Sequence, residues 1–136
     1  AAHGCDLYYE VDLPEHMMLV HPVGTVLGRA TYGDYFVAYQ NVGVGSDLDG
    51  NRPVIGEGVV LFPGSKVLGN SKIGNNVFIN ANAVIQDIDV PDNSVVFPCF
   101  GMRESASANY ITGAWSGCQW RSTKRSVKEQ FFKVPA

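Results

Sequence analysis

The sequence has few charged residues, few histidines and no long apolar run, and each shortage narrows the classes of protein it can belong to. No apolar stretch approaches the roughly 18 residues of a membrane-spanning helix, so we expect no membrane partner. The net charge of −3, and basic residues that form no stripe through the chain, argue against a nucleic-acid partner. Charged residues make up 17% and hydrophobic residues 46% of 136, which suits one compact domain with a core.

Cysteine is also scarce. Cys5, Cys99 and Cys118 are odd in number and far apart, which fits neither a disulfide framework nor a zinc cluster. We therefore expect reduced thiols and a cytoplasmic location. The first residue of the sequence is Ala1 rather than a methionine, and no apolar signal-type segment follows it. This leaves open whether further sequence precedes Ala1.

A six-residue repeat runs from Ile55 to Gln86 and is the clearest pattern in the chain. An aliphatic residue opens every repeat, and a small or β-branched residue follows four positions later in the first five. The aliphatic positions are Ile55, Leu61, Val67, Ile73, Ile79 and Ile85, and the others are Val59, Ser65, Ser71, Val77 and Ala83. A period of six fits neither an amphipathic helix nor an alternating strand and is typical of hexapeptide β-helices. We predict an all-β parallel β-helix with three six-residue sides to a coil and the aliphatic residues pointing inward.

The repeat is interrupted where we expect irregular structure. Less regular repeats lead back to Leu7, with a slip near Thr25. The polar stretch GSDLDGNR, residues 45–52, predicts a loop excursion. Loops on a rigid scaffold are where binding residues concentrate.

After about residue 100 the repeat is absent. We therefore predict a β-helix domain over residues 1–100 and a C-terminal extension over residues 101–136, with a short helix over SVKEQFF. The extension is expected to pack on the β-helix or on a neighbouring subunit, and to cover an open sheet edge. Alternatively, its cations meet the phosphates of a nucleotide-bearing ligand. These cations are Arg121, Lys124, Arg125, Lys128 and Lys133.

The three histidines are the first candidates for proton transfer. His3, His16 and His21 all lie near the start of the chain. A neutral imidazole with a pKa of about 6.5 is the usual general base at pH 7. Residue type alone does not separate a catalytic histidine from a structural one.

The stretch LVHPVGTVLG from Leu19 to Gly28 is followed by YQNVGVG, the loop, and VLFPGSKVLGNSKIGNNVFINANAVI. Together they resemble the left-handed β-helix of serine acetyltransferases. The resemblance covers about residues 6–96 and implies acetyl transfer from acetyl-CoA to a hydroxyl. His21 matches the family histidine that takes the acceptor proton, and Asp6 matches the aspartate that orients it. Such a carboxylate fixes the imidazole tautomer and stabilises the imidazolium.

Spacing is compatible with contact between these two residues. If a coil has about eighteen residues, Asp6 lies on the coil below His21 and around a corner from it. His3 lies a full eighteen residues before His21 and is a rival partner. Other nearby carboxylates are expected to be solvated surface groups. They are Glu10, Asp12 and Glu15.

The resemblance also implies a homotrimer, because acetyl-CoA in the family lies in a groove between adjacent subunits. Backbone groups next to small residues hold it there, and no metal takes part. The positions that match this donor site are Gly45, Ser46, Pro63, Gly64, Phe78 and Ala81. Glycine at a β-helix corner also has a purely structural explanation.

The acceptor site departs from the family pattern. Val20 replaces an aspartate that helps to hold serine, while Asn51 and Arg52 replace an arginine and a histidine. The ammonium group of serine would be unpaired against Val20, at a cost of several kcal/mol. We therefore expect a small-molecule acceptor such as a sugar or another small polyol rather than free serine. Within these 136 residues we find no counterpart of the family's N-terminal helical domain, and FPCFG replaces its closing motif.

Two other classes of protein remain as alternatives. A γ-type carbonic anhydrase shares the fold and pairs two histidines five residues apart, as His16 and His21 are. Three imidazoles around zinc would generate a hydroxide nucleophile, but His3 is poorly placed as the third ligand. The other alternative is a non-catalytic β-helix scaffold, because a fold does not by itself establish an activity.

Overall fold

The computed structural model describes residues 4–98 and 118–136. Within them the chain forms fifteen short strands and one short π-helical turn, Lys128–Phe132. The strands are β1 (Asp6–Leu7), β2 (Met17–Leu19), β3 (Val26–Leu27), β4 (Thr31–Tyr32), β5 (Phe36–Ala38), β6 (Gly43–Gly45), β7 (Val54–Ile55), β8 (Val59–Leu61), β9 (Lys66–Leu68), β10 (Lys72–Ile73), β11 (Val77–Ile79), β12 (Val84–Gln86), β13 (Asp89–Val90), β14 (Ser94–Pro98) and β15 (Cys118–Ser122).

The strands form three parallel sheets, which are the sides of a prism. Side A contains β1, β3, β6, β9 and β12, and side C contains β4, β7, β10 and β13. Side B contains β2, β5, β8, β11 and β14, and β15 extends it by antiparallel pairing with β14. The chain visits side B, then A, then C in each coil, so we name its corners B–A, A–C and C–B. This confirms the predicted all-β, left-handed parallel β-helix.

The six-residue repeat places the core as predicted. Ile55 pairs with Ile73, and Leu61 pairs with Ile79, each one coil of eighteen positions later. All six aliphatic repeat residues are at most 3% exposed, and the five small or β-branched ones are fully buried. Two of those five are serines, Ser65 and Ser71. Each hydroxyl donates a 2.7 Å hydrogen bond to a carbonyl oxygen three residues earlier, which satisfies the buried O–H donor.

Coil length is not eighteen residues throughout, which corrects the uniform spacing assumed from the sequence. Asp6 pairs with Val26, twenty positions later, and Ile73 pairs with Val90, seventeen positions later. The coil that contains the predicted loop is longest, because residues 46–53 separate β6 from β7. The repeat therefore predicts which residues point inward but not the length of each corner.

The C-terminal residues pack on the outer face of side B. Val37, Val60 and Phe78 are buried there beneath Val127, with Phe131 and Phe132 packed at the edge. We name this group the side B cluster. The short helix predicted over SVKEQFF is present as the helical turn. Residues 101–117 lie outside the described residues, and the division of the chain near residue 100 stays a prediction.

Gly56, on a C–B corner, is required by the close approach of the next coil. A Cβ atom built there would lie 2.6 Å from the Gly74 carbonyl oxygen and 2.6 Å from Asn75 Oδ1. We expect Gly56→Ala to lower the free energy of unfolding by about 1–3 kcal/mol, because backbone has to move. Gly45→Ala is the matched control, since its nearest atom would be 4.0 Å away. Equal denaturant midpoints for the two variants would contradict this account.

Candidate functional site

His21 lies in a B–A corner that is longer than those stacked on it. β2 ends at Leu19 and β3 begins at Val26, seven positions later. In the next three coils the corresponding step, from β5 to β6, β8 to β9 and β11 to β12, is five positions. His21 adopts a left-handed φ of 47° in this wider corner, and its side chain is exposed. The slip in the repeat thus displays an imidazole at the surface.

Asp6 lies one coil before His21 and across the corner from it. Its backbone N–H donates to the Thr25 carbonyl oxygen at 2.8 Å, and its side chain is exposed. Within residues 4–98, no hydrogen bond or ion pair joins the Asp6 carboxylate to the His21 imidazole. The rival partner, His3, lies outside the described residues. The role of Asp6 therefore stays a prediction.

Three of the predicted donor-site residues stack on the same B–A corner as His21. Asn41 donates a hydrogen bond to Val23, Gly64 donates to Gln40, and Asn82 donates to Pro63, each from backbone N–H to carbonyl oxygen at 3.0 Å. These hydrogen bonds stack the turn that contains Pro63 and Gly64 against the turn one coil later, which contains Ala81.

Gly64 also has a structural reason to be glycine. Its φ is 76°, and a Cβ atom there would collide with the side chain of Asn82.

The remaining donor-site residues lie elsewhere. Gly45 ends β6 and Ser46 follows it at the A–C corner. A strand advances about 3.3 Å per residue, so the five residues from Asn41 to Ser46 separate the two corners by roughly 16 Å. Phe78 lies in the side B cluster and is 5% exposed. A single chain therefore does not bring all six predicted positions together.

The predicted acceptor residues are also divided between two corners. Val20 is half-buried against the side B cluster, next to His21. Asn51 and Arg52 lie in the exposed loop at the A–C corner. Asp47 organises this loop, accepting backbone hydrogen bonds from Asp49 and Asn51 at 2.9 Å and a side-chain bond from Asn51 Nδ2 at 2.8 Å. The hydrogen bond from the Asn51 side chain is the main reason that the pKa of Asp47 is lowered.

Sequence reasoning missed a histidine–carboxylate pair at a C–B corner. Asp34 Oδ2 lies 2.9 Å from His16 Nδ1, and Asp34 Oδ1 accepts the His16 backbone N–H at 2.7 Å. The His16 ring stacks on Tyr35, with 4.8 Å between ring centroids. The signal was available, because the two residues are eighteen positions apart, the spacing of one regular coil.

This pair shifts both pKa values. The hydrogen bond to Asp34 raises the pKa of His16 above its ordinary 6.5. Desolvation alone would raise the pKa of Asp34, but hydrogen bonds from His16 and Tyr35 hold it below its ordinary 3.8. The contact of protonated His16 with Asp34 stabilises the fold fully below pH 6.5. This stabilisation is lost as the pH rises through the raised pKa of His16. Asp34 stabilises the fold above pH 3.8 and loses that effect as pH falls through its lowered pKa.

We expect Asp34→Asn to lower the pKa of His16, measured by NMR titration of the imidazole protons. Glu15→Gln is the control, because Glu15 acts on His16 only through space and contributes least. It should lower the pKa by less. An unchanged His16 pKa in Asp34→Asn would show that the pair does not form in solution.

Within residues 4–98 and 118–136, no group of three or more His, Cys, Asp and Glu residues has the arrangement of a metal site. His16 and His21 lie at opposite ends of β2, at a C–B and a B–A corner.

No helix of the described chain is long and apolar enough to cross a membrane.

Comparison with known proteins identifies the repeat. Residues 52–87 match the family described as bacterial transferase hexapeptide (six repeats). Serine acetyltransferase of Staphylococcus aureus strain Mu50 is 36% identical over 97 residues, 68% of this chain and 45% of the relative. That of Staphylococcus epidermidis is 36% identical over 86 residues, 60% of this chain and 40% of the relative. The chain thus spans less than half the length of these curated relatives.

Two solved structures share the fold. Serine acetyltransferase isoform 3 of Entamoeba histolytica, solved in complex with cysteine, is 32% identical with a TM-score of 0.54. It covers 78% of this chain, and the match covers 37% of that protein. Serine acetyltransferase of Brucella abortus strain S19 is 27% identical with a TM-score of 0.53, over 68% of this chain and 36% of that one. The chain therefore carries a hexapeptide-repeat β-helix, and over about two thirds of its length it resembles the corresponding part of serine acetyltransferases.

Proposed function

We propose that this protein is an acetyl-CoA-dependent O-acetyltransferase in which His21 is the general base. The observation that supports this most directly is the extended corner that displays His21 beside the stacked turns of Pro63, Gly64 and Ala81. The resemblance to serine acetyltransferases over 97 residues supports acetyl-CoA as the donor. No metal is required by this chemistry.

In the proposed reaction His21 takes the proton of an acceptor hydroxyl while that oxygen attacks the thioester carbonyl of acetyl-CoA. The C–S bond breaks, an ester C–O bond forms, and the imidazolium returns the proton to the departing thiolate. Asp6 would stabilise the imidazolium if its side chain turns towards His21 when substrates bind. A base so placed contributes about 10² to 10⁴ in rate.

We infer that the complete site needs a neighbouring subunit of a homotrimer. Asn51 and Arg52 lie at the A–C corner and His21 at the B–A corner, roughly 16 Å apart along side A. A second copy whose A–C corner faces the His21 corner would bring the loop, Gly45 and Ser46 to the base. Sedimentation of the protein as a trimer supports this arrangement, and a monomer that turns over acetyl-CoA at full rate contradicts it.

We propose that the acceptor is a sugar or another small polyol. Val20 is half-buried in an apolar cluster and offers no charge to an amino acid's ammonium group. Asn51 and Arg52 offer hydrogen-bond donors to hydroxyl oxygens. We also propose a cytoplasmic location, which the sequence leads us to expect; among the described residues Cys5 is a free cysteine.

Thiol release from acetyl-CoA, measured over a panel of amino acids, sugars and nucleotide sugars, tests both parts of this proposal. We expect release with one or more polyols and little with serine.

Val20→Asp should raise the relative rate with serine by about tenfold, because a new carboxylate would pair the ammonium. Turnover of serine alone would refute the acceptor assignment, and no protection from heat by millimolar acetyl-CoA would refute the donor assignment.

A further inference from the structure

A groove lies between the outer face of side B and the C-terminal residues 123–130. Its volume is 350 Å³, within the range of about 300–1,000 Å³ that is usual for small-molecule sites. Phe62, Phe78, Val95 and Phe97 form its apolar floor, and Asn80, Thr123, Arg125 and Gln130 form its polar rim. We name it the arginine groove.

The C-terminal wall of the arginine groove is held in place by hydrogen bonds to the β-helix. Thr123 donates its backbone N–H to the Asn93 carbonyl oxygen at 2.8 Å. The side-chain amide of Asn76 makes two hydrogen bonds to the backbone of this wall. Its Nδ2 donates to the Arg125 carbonyl oxygen at 2.7 Å, and its Oδ1 accepts the Val127 N–H at 2.9 Å. A groove anchored in this way needs little ordering when a ligand binds.

The floor is suited to a flat aromatic group. Three of its four side chains are phenylalanines. Phe62 is also packed against Tyr39 and Phe131, with ring centroids 5.2 Å and 6.3 Å away. Phe97 remains 37% exposed at the end of β14. Aromatic rings prefer aromatic partners in offset or edge-to-face contact, which adds to the apolar area they bury.

The rim is suited to an anion. Arg125 lines the groove, and the Arg121 guanidinium lies 5.8 Å from the centre of the Phe97 ring. Among the described residues neither arginine makes an ion pair, and no acidic residue lines the groove. A guanidinium binds carboxylate or phosphate through two parallel hydrogen bonds.

We propose that the arginine groove binds a small aromatic anion, with its ring on the phenylalanine floor and its carboxylate or phosphate on Arg125. The proposal does not depend on acetyl transfer at His21: the groove lies on the outer face of side B, and of the positions predicted to hold acetyl-CoA its lining contains only Phe78. Asn80, Thr123 and Gln130 supply further hydrogen bonds to the anionic group or to ring substituents.

Calorimetric titration of the full chain without acetyl-CoA tests the proposal with three probes of one shape: 2-naphthoate, 2-naphthyl phosphate and the neutral 2-naphthamide. We expect saturable binding of at least one anion, at least tenfold tighter than the amide. The preferred anion then distinguishes a carboxylate ligand from a phosphate one. Arg125→Gln should remove the preference for the anion, whereas Lys124→Gln, which removes the same charge from an exposed neighbour outside the groove, should retain it.

Phe97→Ala provides a second variant, which is expected to weaken the anion and the amide by the same factor of about tenfold. A circular dichroism melt of each variant shows that it is folded. No saturable binding at probe concentrations up to about 5 mM, amide binding as tight as anion binding, or an Arg125→Gln variant that behaves like Lys124→Gln would each overturn the proposal.

Discussion

His21→Asn should reduce acetyl transfer by about 10² to 10⁴, because the substitution removes the proposed general base. Asparagine is the appropriate replacement, since His21 has a left-handed φ of 47° and asparagine tolerates that conformation better than alanine. The side chain is exposed, so the denaturant midpoint should be nearly unchanged. Binding of acetyl-CoA should also be retained, which separates loss of the base from loss of the site.

His16→Asn is the matched control for this experiment. His16 is the other described histidine and has the better-formed carboxylate partner, Asp34 at 2.9 Å. It lies at a C–B corner, away from the stacked turns of Pro63, Gly64 and Ala81, so we expect its turnover within a few-fold of wild type. If His16→Asn loses activity and His21→Asn keeps it, the base is the His16–Asp34 pair and our assignment is wrong.

Leu61→Ala should lower the free energy of unfolding by about 2–5 kcal/mol, because it removes a large inward side chain from the core. Leu61 is fully buried at the centre of the prism. It pairs with Ala38 on the preceding coil and Ile79 on the following one, both fully buried. The flat coils above and below cannot collapse into the space, so the cavity term is added to the lost burial.

The matched control is Leu48→Ala, which truncates a fully exposed leucine in the loop. Its effect should stay within about 0.5 kcal/mol. Guanidinium denaturation followed by circular dichroism measures both variants under the same conditions. Similar midpoints for the two would mean that the inward aliphatic column does not carry the stability of the β-helix.

The core could be predicted from the sequence because a solenoid repeats one local rule. Each inward residue is met by a residue one coil away at a similar place in the repeat, so the period of six already identifies partners such as Ile55 and Ile73. The loop over residues 45–52 was also predictable, because its polar residues cannot fill an inward column. The short C-terminal helix followed from a compact run of helix-compatible residues.

The candidate site was predictable only in part. Resemblance identified His21, Pro63, Gly64 and Ala81, and the structure stacks them on one corner. The resemblance did not predict that Phe78 is buried under the C-terminal residues.

The His16–Asp34 pair was also missed, although its spacing of one coil was visible. Judging such a pair requires knowing which coils have eighteen residues, and that depends on the corners.

The sequence by itself determined the β-helix, its inward columns and the positions of its interruptions, because these depend on near-neighbour contacts between repeats. The tertiary structure decided what the interruptions do. Corner length follows from how each turn fits the coil beside it, so only the fold shows His21 displayed on an extended corner. The arginine groove likewise joins Phe78 to Arg125, which no periodicity relates, because the C-terminal residues follow no repeat and take their place only by packing on side B.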